Sequence, residues 1–319
     1  MTMTPLRRRI AALAVVLLGA SIVLTACGSD GDDSGDAGAT RTIKADYGET
    51  VEVPADPQRV AVLHPAFTEM FLDLGGKPVA VSGLSDSDLA ELPSDQQAAY
   101  KAATTVDSAS GDVDLEKLAS VKPDVILDLT AQTQWEQTKE KLNAIAPTVP
   151  VDTGSKSDFQ FATLAEATNT QDTLNKQKAD FDTKVAALQS KYSDVLKSTK
   201  IVEATGGWDA GTYNINASMC AEVVIDEKVV DFVPSEYSVS FEQISKLADN
   251  NLILYVSNAE GQPTAESAAL MAENAWSALP AVQSGHAQPV YCGTWKTYGF
   301  AMQYLDWLDK ALATLPKPQ

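Results

Sequence analysis

Histidine and cysteine are scarce in this sequence. Among 319 residues there are 2 histidines, His64 and His286, and 3 cysteines. A dedicated zinc or manganese site needs several His, Asp or Glu ligands, so this composition argues against one. The chain also lacks a nucleophile elbow, a phosphate-binding glycine loop and a paired catalytic constellation. These absences weigh against an enzyme.

Arginine is nearly missing outside the extreme N-terminus. After three arginines at positions 7–9, only Arg41 and Arg59 follow. Without those three, the 24 basic side chains become 21 against 43 acidic ones, a net charge of about −22. Because nucleic-acid binding depends on neutralising phosphates with basic side chains, we expect no nucleic-acid partner.

Long hydrophobic runs are also missing, apart from one at residues 10–24 behind the three arginines. That run is short for a membrane span and has the flanks of an export signal, and no later run reaches ~18 residues. It ends in LTACG at 24–28, which resembles the lipobox of bacterial lipoproteins. The resemblance implies a signal peptide at 1–27 and a diacylated Cys27 as the mature N-terminus. The alternative is an ordinary signal with an incidental cysteine.

Residues 28–41 are dominated by Gly, Ser, Asp, Ala and Thr, which cannot bury enough apolar surface to order themselves. We predict a flexible tether there. With Cys27 assigned to lipid, Cys220 and Cys292 are the remaining pair in an oxidising, exported setting. A disulfide between them is favoured over two free thiols.

Beyond the tether, short Val/Ile/Leu runs alternate with amphipathic helical patterns. This alternation predicts an α/β fold with parallel-type sheets, an N-terminal lobe at 42–156 and a C-terminal lobe at 200–319. Linking helices are predicted at 157–199, and they include one long helix over 170–197. Its apolar residues recur at spacings of three, four and seven, and they are Leu174, Phe181, Val185, Leu188, Tyr192 and Val195.

One segment repeats between the two lobes. LEKL at 115–118 precedes DVIL at 124–127, and FEQI at 241–244 precedes NNLI at 250–253 by the same distance. Glu116 and Glu242 are therefore equivalent positions. Each lies in the first turn of a predicted helix, where the helix dipole alone favours a carboxylate. The alternative is that the pair meets two matching basic sites on a two-subunit partner.

Four segments carry a resemblance to a known family: PQRVAVL at 57–63, LGGKPVAV at 74–81, LEKL with KPDVI between 115 and 126, and WSALPAV at 276–282. Together they resemble the iron-siderophore substrate-binding proteins of bacterial ABC importers, which share a fold with vitamin B12-binding proteins. The resemblance runs from about Arg59 to Ala311. It implies a class III periplasmic-binding-protein-like fold with two lobes bridged by one long helix and little hinge closure. It also implies that Glu116 and Glu242 dock onto permease arginines.

Aromatic residues dominate the loops that follow the predicted strands, where ligands meet parallel sheets. Ligand contact is predicted for Trp135, Trp208, Tyr213, Tyr237, Trp295 and Tyr298. Each of these side chains could instead fill a core. Family members that bind anionic ferric catecholates or citrate use cleft arginines, and here Lys296 is the one obvious cation near a predicted rim. We therefore expect a neutral or cationic ferric hydroxamate, such as a ferrioxamine, packed on aromatic faces.

Two other ligands and one other class of protein stay open. Haem would need an axial ligand such as His64 or a cleft tyrosine, although a loop histidine bonded to backbone is the preferred interpretation of His64. Cobalamin is the second ligand, and an exported enzyme is the different class. We expect a monomer that has no resident cofactor, carries the ferric siderophore as cargo and is held on the outer face of the cell membrane by its lipid.

Overall fold

The computed structural model describes residues 38–107, 112–207, 209–291, 293 and 296–316, without the side chains of 219–221. Several predictions concern features outside this range: the signal peptide and Cys27, most of the tether, Trp208, Trp295, Cys292 and the side chain of Cys220. They stay predictions. No helix in the described part of the chain combines the length and the apolar character that crossing a membrane requires.

The chain enters the fold through an antiparallel hairpin of β1 (Thr40–Lys44) and β2 (Thr50–Pro54), joined through a 3-10 turn at Asp46–Gly48. Ile43 and Val53 are the buried residues of this hairpin. Strand β1 includes Thr40 and Arg41, the last two residues of the segment predicted as a tether.

The N-lobe is built on a five-stranded sheet in the order β5-β4-β3-β6-β7, with every neighbouring pair parallel. Its elements are β3 (Val60–Leu63), α1 (Pro65–Asp73), β4 (Ala80–Val81), α2 (Asp86–Glu91), α3 (Ser94–Ala102), β5 (Thr104–Thr105), α4 (Leu115–Ser120), β6 (Val125–Thr130), α5 (Gln132–Asn143) and β7 (Thr148–Asp152). Gly75, with φ of 78°, adopts the left-handed conformation just after α1 ends.

Helices α6 (Ser157–Thr168), α7 (Gln171–Lys191) and α8 (Ser193–Leu196) link the lobes. The long helix is confirmed, but it stops at Lys191 rather than running to 197. Tyr192, with φ of −112° and ψ of 18°, separates it from α8. The Tyr192 hydroxyl donates to the backbone oxygen of Asp309 at 2.8 Å, and this bond ties the break to the last helix.

The C-lobe sheet has the order β10-β9-β8-β11-β12 and is mixed. Strands β8, β11 and β12 are parallel, whereas β9 and β10 run antiparallel to their neighbours, which the sequence did not predict. Its elements are β8 (Ile201–Gly206), β9 (Thr212–Ile215), α9 (Met219–Asp226), β10 (Glu236–Ser240), a 3-10 helix (Phe241–Leu247), β11 (Leu252–Ser257), α10 (Ala265–Met271), α11 (Asn274–Ser277), α12 (Pro280–Gln283), β12 (Ala287–Tyr291) and α13 (Tyr298–Leu312).

One apolar core fills the space between the two sheets. Val60 and Val62 point into it from β3, and Ile201 and Leu252 enter it from the C-lobe, while α1, α6, α7 and α13 contribute the middle layer. The alternate residues of each strand face two separate outer cores, as period-two side-chain alternation requires. The two-lobed α/β fold is thereby confirmed, with lobes joined through a continuous buried layer.

Candidate functional site

A cavity of about 240 Å³ lies between the two lobes at the carboxyl ends of the strands. His64 follows β3 and Thr153 follows β7, and both line this inter-lobe cavity together with Leu129. Glu222 of α9 and Lys296, just before α13, line it from the C-lobe. The position agrees with the expectation that ligands meet parallel sheets at these strand ends.

Lys296, the cation expected near the rim, is already neutralised. Its ammonium group forms an ion pair with the Glu222 carboxylate, and its side chain is 15% exposed. Arg59 lies elsewhere, donating from Nε to the carbonyl of Lys122 (2.9 Å) beyond the end of α4. Arg41 donates to the Ala55 carbonyl at 3.1 Å. Within the described residues, therefore, no arginine reaches the inter-lobe cavity.

A second cavity of about 460 Å³ adjoins the first and extends into the N-lobe. The two share His64, Leu129 and Thr153. The polar residues that line this N-lobe cavity are His64, Asp107, Asp112, Asp128, Thr130, Gln134, Gln137, Thr138, Lys141 and Thr153. Together the adjoining cavities fall in the size range of small-molecule sites.

Helix α5 presents its polar face to the N-lobe cavity. Gln134, Gln137, Thr138 and Lys141 recur at spacings of three, four and seven, and all line the cavity. Trp135 points the other way: it is 1% exposed in the outer N-lobe core, and its Nε1 donates to Glu49 at 3.3 Å. The structure therefore contradicts a ligand contact for Trp135, because the ring packs in a core. The helical spacing of the polar residues was the available signal.

His64 belongs to the architecture of the site. Its Nδ1 accepts a hydrogen bond from the Ala66 backbone nitrogen at 3.1 Å and so caps α1. Burial lowers the pKa of the imidazole, which keeps the ring neutral. The backbone φ of 86° is strained for a residue with a side chain, as is found at functional sites. The preferred interpretation, a loop histidine bonded to backbone, is confirmed.

Asp128 is the acidic residue that the sequence reading missed. Along β6, Leu127 and Leu129 face the shared core, whereas Ile126 and Asp128 face the opposite side, where the N-lobe cavity lies. Asp128 is 8% exposed, and no hydrogen bond from a described residue reaches its carboxylate. Burial raises the pKa of this carboxyl to about 7. In the sequence, the signal for Asp128 was a charged residue inside the otherwise mostly apolar strand VILDLT at 125–130.

A neighbouring carboxylate, Asp107, is fully occupied by the protein itself. The Ser82 hydroxyl and the Gly83 backbone nitrogen (2.7 Å) both donate to it. Ser82 Oγ in turn accepts from the His64 backbone nitrogen at 2.6 Å. Burial raises the pKa of Asp107 as well. This chain of bonds fixes the loop after β4 against the start of α1.

Two more predicted contact residues are buried in the structure. Tyr213 is 0% exposed in the outer C-lobe core, and its hydroxyl donates to the Gln243 carbonyl at 3.1 Å. Tyr298 stacks on Phe161 with ring centroids 5.0 Å apart and meets Phe181 edge-on at 5.4 Å. Both predictions of ligand contact are wrong, because these rings complete cores. Tyr298 instead joins α13 to α6 and α7.

Tyr237 is the remaining described aromatic in the predicted set. It is 51% exposed on β10, the edge strand of the C-lobe sheet, and it lines neither cavity. Its role in binding stays a prediction.

Glu116 and Glu242 occupy matching places in the two lobes. Each is exposed near the start of a short helix capped by the side chain of Asp114 or Ser240. The backbone nitrogen of Asp114 donates to the carbonyl of Val106, just after β5. That of Phe241 donates to the carbonyl of Gly211, just before β9, and this end of the antiparallel β9 lies beside the carboxyl end of β8. Both glutamates therefore lie at the carboxyl edge of their sheets. These helix starts and the strand ends that border the cavities thus lie at the same edge.

Comparison with known proteins gives a consistent picture. A sequence profile described as periplasmic binding protein matches residues 60–287. The chain is 29% identical over 304 residues to the probable siderophore-binding lipoprotein YfiY of Bacillus subtilis, covering 89% of this chain and 91% of that protein. It is 28% identical over 282 residues to the iron(3+)-hydroxamate-binding protein FhuD of the same organism, covering 82% and 84%.

The fold also matches solved structures. The siderophore periplasmic binding protein from the fuscachelin gene cluster of Thermobifida fusca superposes with a TM-score of 0.68 at 24% identity, covering 82% of this chain and 99% of that one. The FhuD protein from S. pseudintermedius gives 0.65 at 22% identity, covering 87% and 99%. At these identities the likeness establishes the fold.

Proposed function

Because the chain belongs to the periplasmic binding protein family, we propose that it captures a ferric siderophore outside the cytoplasmic membrane and delivers it to an ABC permease. The chain is a substrate-binding protein and not an enzyme, because the family and the relatives that it matches are substrate-binding proteins. Support for a siderophore comes from the names of the relatives YfiY and FhuD. The iron complex is the cargo, and we propose a monomer with no resident cofactor.

Within this class we favour a neutral or cationic ferric hydroxamate. The observation that carries this proposal is the charge of the two cavities. Lys296 is paired with Glu222 in the inter-lobe cavity, and the N-lobe cavity is lined by three carboxylates and one cation, which are Asp107, Asp112, Asp128 and Lys141. A ferric triscatecholate carries dense negative charge and calls for forked hydrogen bonds from arginines. A tris-hydroxamate neutralises the iron and leaves a largely apolar and amide surface.

A titration against a panel of ligands tests this proposal. We expect a ferric tris-hydroxamate to bind at least tenfold tighter than a ferric triscatecholate, because the triscatecholate would enter cavities in which carboxylates outnumber cations. Tryptophan fluorescence and calorimetry give the dissociation constants, with haem and cobalamin included. Tighter binding of the triscatecholate, or a Soret band on mixing with haem alone, would contradict the hydroxamate assignment.

Anchoring by lipid is a separate proposal that rests on the LTACG motif at 24–28. Replacing Cys27 with Ala removes the acylated thiol, so we expect the protein to be released or left unprocessed, because two acyl chains make a lasting anchor. Metabolic labelling with a fatty acid and fractionation measure the effect. Cys220→Ala is the matched control and should keep both label and membrane association. Unchanged labelling of Cys27→Ala refutes the proposal.

A further inference from the structure

The N-lobe cavity contains a buried carboxylate that the protein leaves without a partner. Asp128 is 8% exposed, lines a cavity of about 460 Å³, and receives no hydrogen bond from any described residue. Buried polar groups are normally satisfied, and an isolated buried carboxylate is costly. The neighbouring Asp107 differs, because Ser82 and Gly83 donate to it. Among the described residues of this lining, Asp128 is therefore the buried carboxylate with an open partner position.

The surrounding side chains suit an organic cation better than a bare metal ion. No group of three or more His, Cys, Asp or Glu side chains that could hold a metal occurs among the described residues. Gln134 and Thr138 of α5 line the same cavity and carry amide and hydroxyl oxygens that accept hydrogen bonds. Lys141, also on this face, is exposed and lies near the C-terminal end of α5. Asp112, the third carboxylate of the lining, is exposed as well. The buried carboxylate of Asp128 with neutral acceptors around it matches an ammonium group.

We propose that Asp128 binds the terminal ammonium group of a cationic ferric hydroxamate inside the N-lobe cavity. This inference rests on the proposed function and names the end of the ligand that the site selects. The chelated iron would then lie in the inter-lobe cavity, which shares His64, Leu129 and Thr153 with the N-lobe cavity. The ion pair gives Asp128 the charge-assisted hydrogen bond that it lacks in the protein alone.

The test compares two ferric tris-hydroxamates that differ only at the terminal amine, which is free in one and N-acetylated in the other. The wild-type protein should bind the free-amine complex about 10- to 100-fold tighter, since hydrogen bonds to charged groups contribute in that range. In Asp128→Asn this difference should vanish. Asp172→Asn, the same substitution at an exposed residue of α7, is the matched control and should preserve it.

Each outcome has a distinct meaning. If both complexes bind the wild-type protein equally, or if Asp128→Asn keeps the preference, Asp128 does not bind the ammonium group and only this inference is overturned. If neither hydroxamate binds while another siderophore does, the proposed hydroxamate function falls and this inference falls with it. Circular dichroism and thermal unfolding of Asp128→Asn verify that the variant is folded in each comparison.

Discussion

Siderophore-dependent iron uptake is expected to fall at least tenfold in cells whose only copy of this protein carries Glu116→Lys together with Glu242→Lys. Both carboxylates are exposed, and no ion pair or hydrogen bond with a described residue occupies their side chains. In the double variant, a partner with two matching basic sites would meet a lysine instead of a glutamate at both lobes and would be repelled. Charge pairs of this kind steer encounter and set register, so either single reversal should have a smaller effect.

The matching environments of the two glutamates support this docking assignment. Leu118 and Ile244, each two residues after its glutamate, are both fully buried. Both helices lead into the fourth strand of their sheet, β6 or β11. A helix dipole alone explains a carboxylate at each helix start, but it predicts no effect on transport. Transport of radiolabelled iron therefore separates the two interpretations.

Two controls isolate docking from charge and from binding. Glu166→Lys with Glu273→Lys changes the net charge equally at exposed positions of α6 and just before α11, and should transport normally. Because Leu115 lines the N-lobe cavity beside Glu116, affinity is best measured with the N-acetylated hydroxamate, which carries no ammonium. Normal uptake by the Glu116/Glu242 double variant, or tenfold weaker binding by a single one, would refute docking.

Replacing Asp128 with Asn is expected to stabilise the fold at pH 8 and to do so far less at pH 4. Burial raises the pKa of Asp128 to about 7 in the folded protein, from the ordinary value of 3.8. The unfolded chain therefore loses this proton at lower pH, and ionisation favours unfolding. The contribution of Asp128 to the free energy of unfolding is therefore most favourable below pH 4 and is lost as the pH rises through 7.

The size of the effect follows from the same pKa. The increase of the Asp128 pKa to about 7 corresponds to about 4 kcal/mol of stability that the wild-type protein loses at pH 8. The variant avoids this loss, but its unsatisfied Asn amide costs about 1–3 kcal/mol, which reduces the gain. Urea unfolding of both proteins between pH 4 and 8 measures the difference, in which other titrating groups largely cancel. Asp172→Asn should show no such trend. A difference that stays constant across this pH range would contradict the buried, unpaired state of Asp128.

Strands buried on both faces were the most predictable part of the fold. Val60–Leu63 is a continuous apolar run because both sides of β3 meet a core, and such a run identifies a parallel strand locally. The last helix, Tyr298–Leu312, is predictable for a similar reason, because its apolar stripe is long. The antiparallel β9 and β10 were missed, since their pairing depends on neighbours that are distant in the sequence.

The sequence by itself determined which loops reach the site, whereas the tertiary structure decided which side chains face it. The apolar run of β6 and the helical spacing of polar residues in α5 are local properties of the sequence. The loop between them, after residue 130, is therefore predictable. Whether Trp135 or Gln134 meets the cavity depends on the rotation of α5 against the sheet, which packing sets. The pairing of Lys296 with Glu222 likewise depends on α9 and the loop after β12 converging. Burial and charge neutralisation are properties of three-dimensional neighbours, which spacing along a chain does not contain.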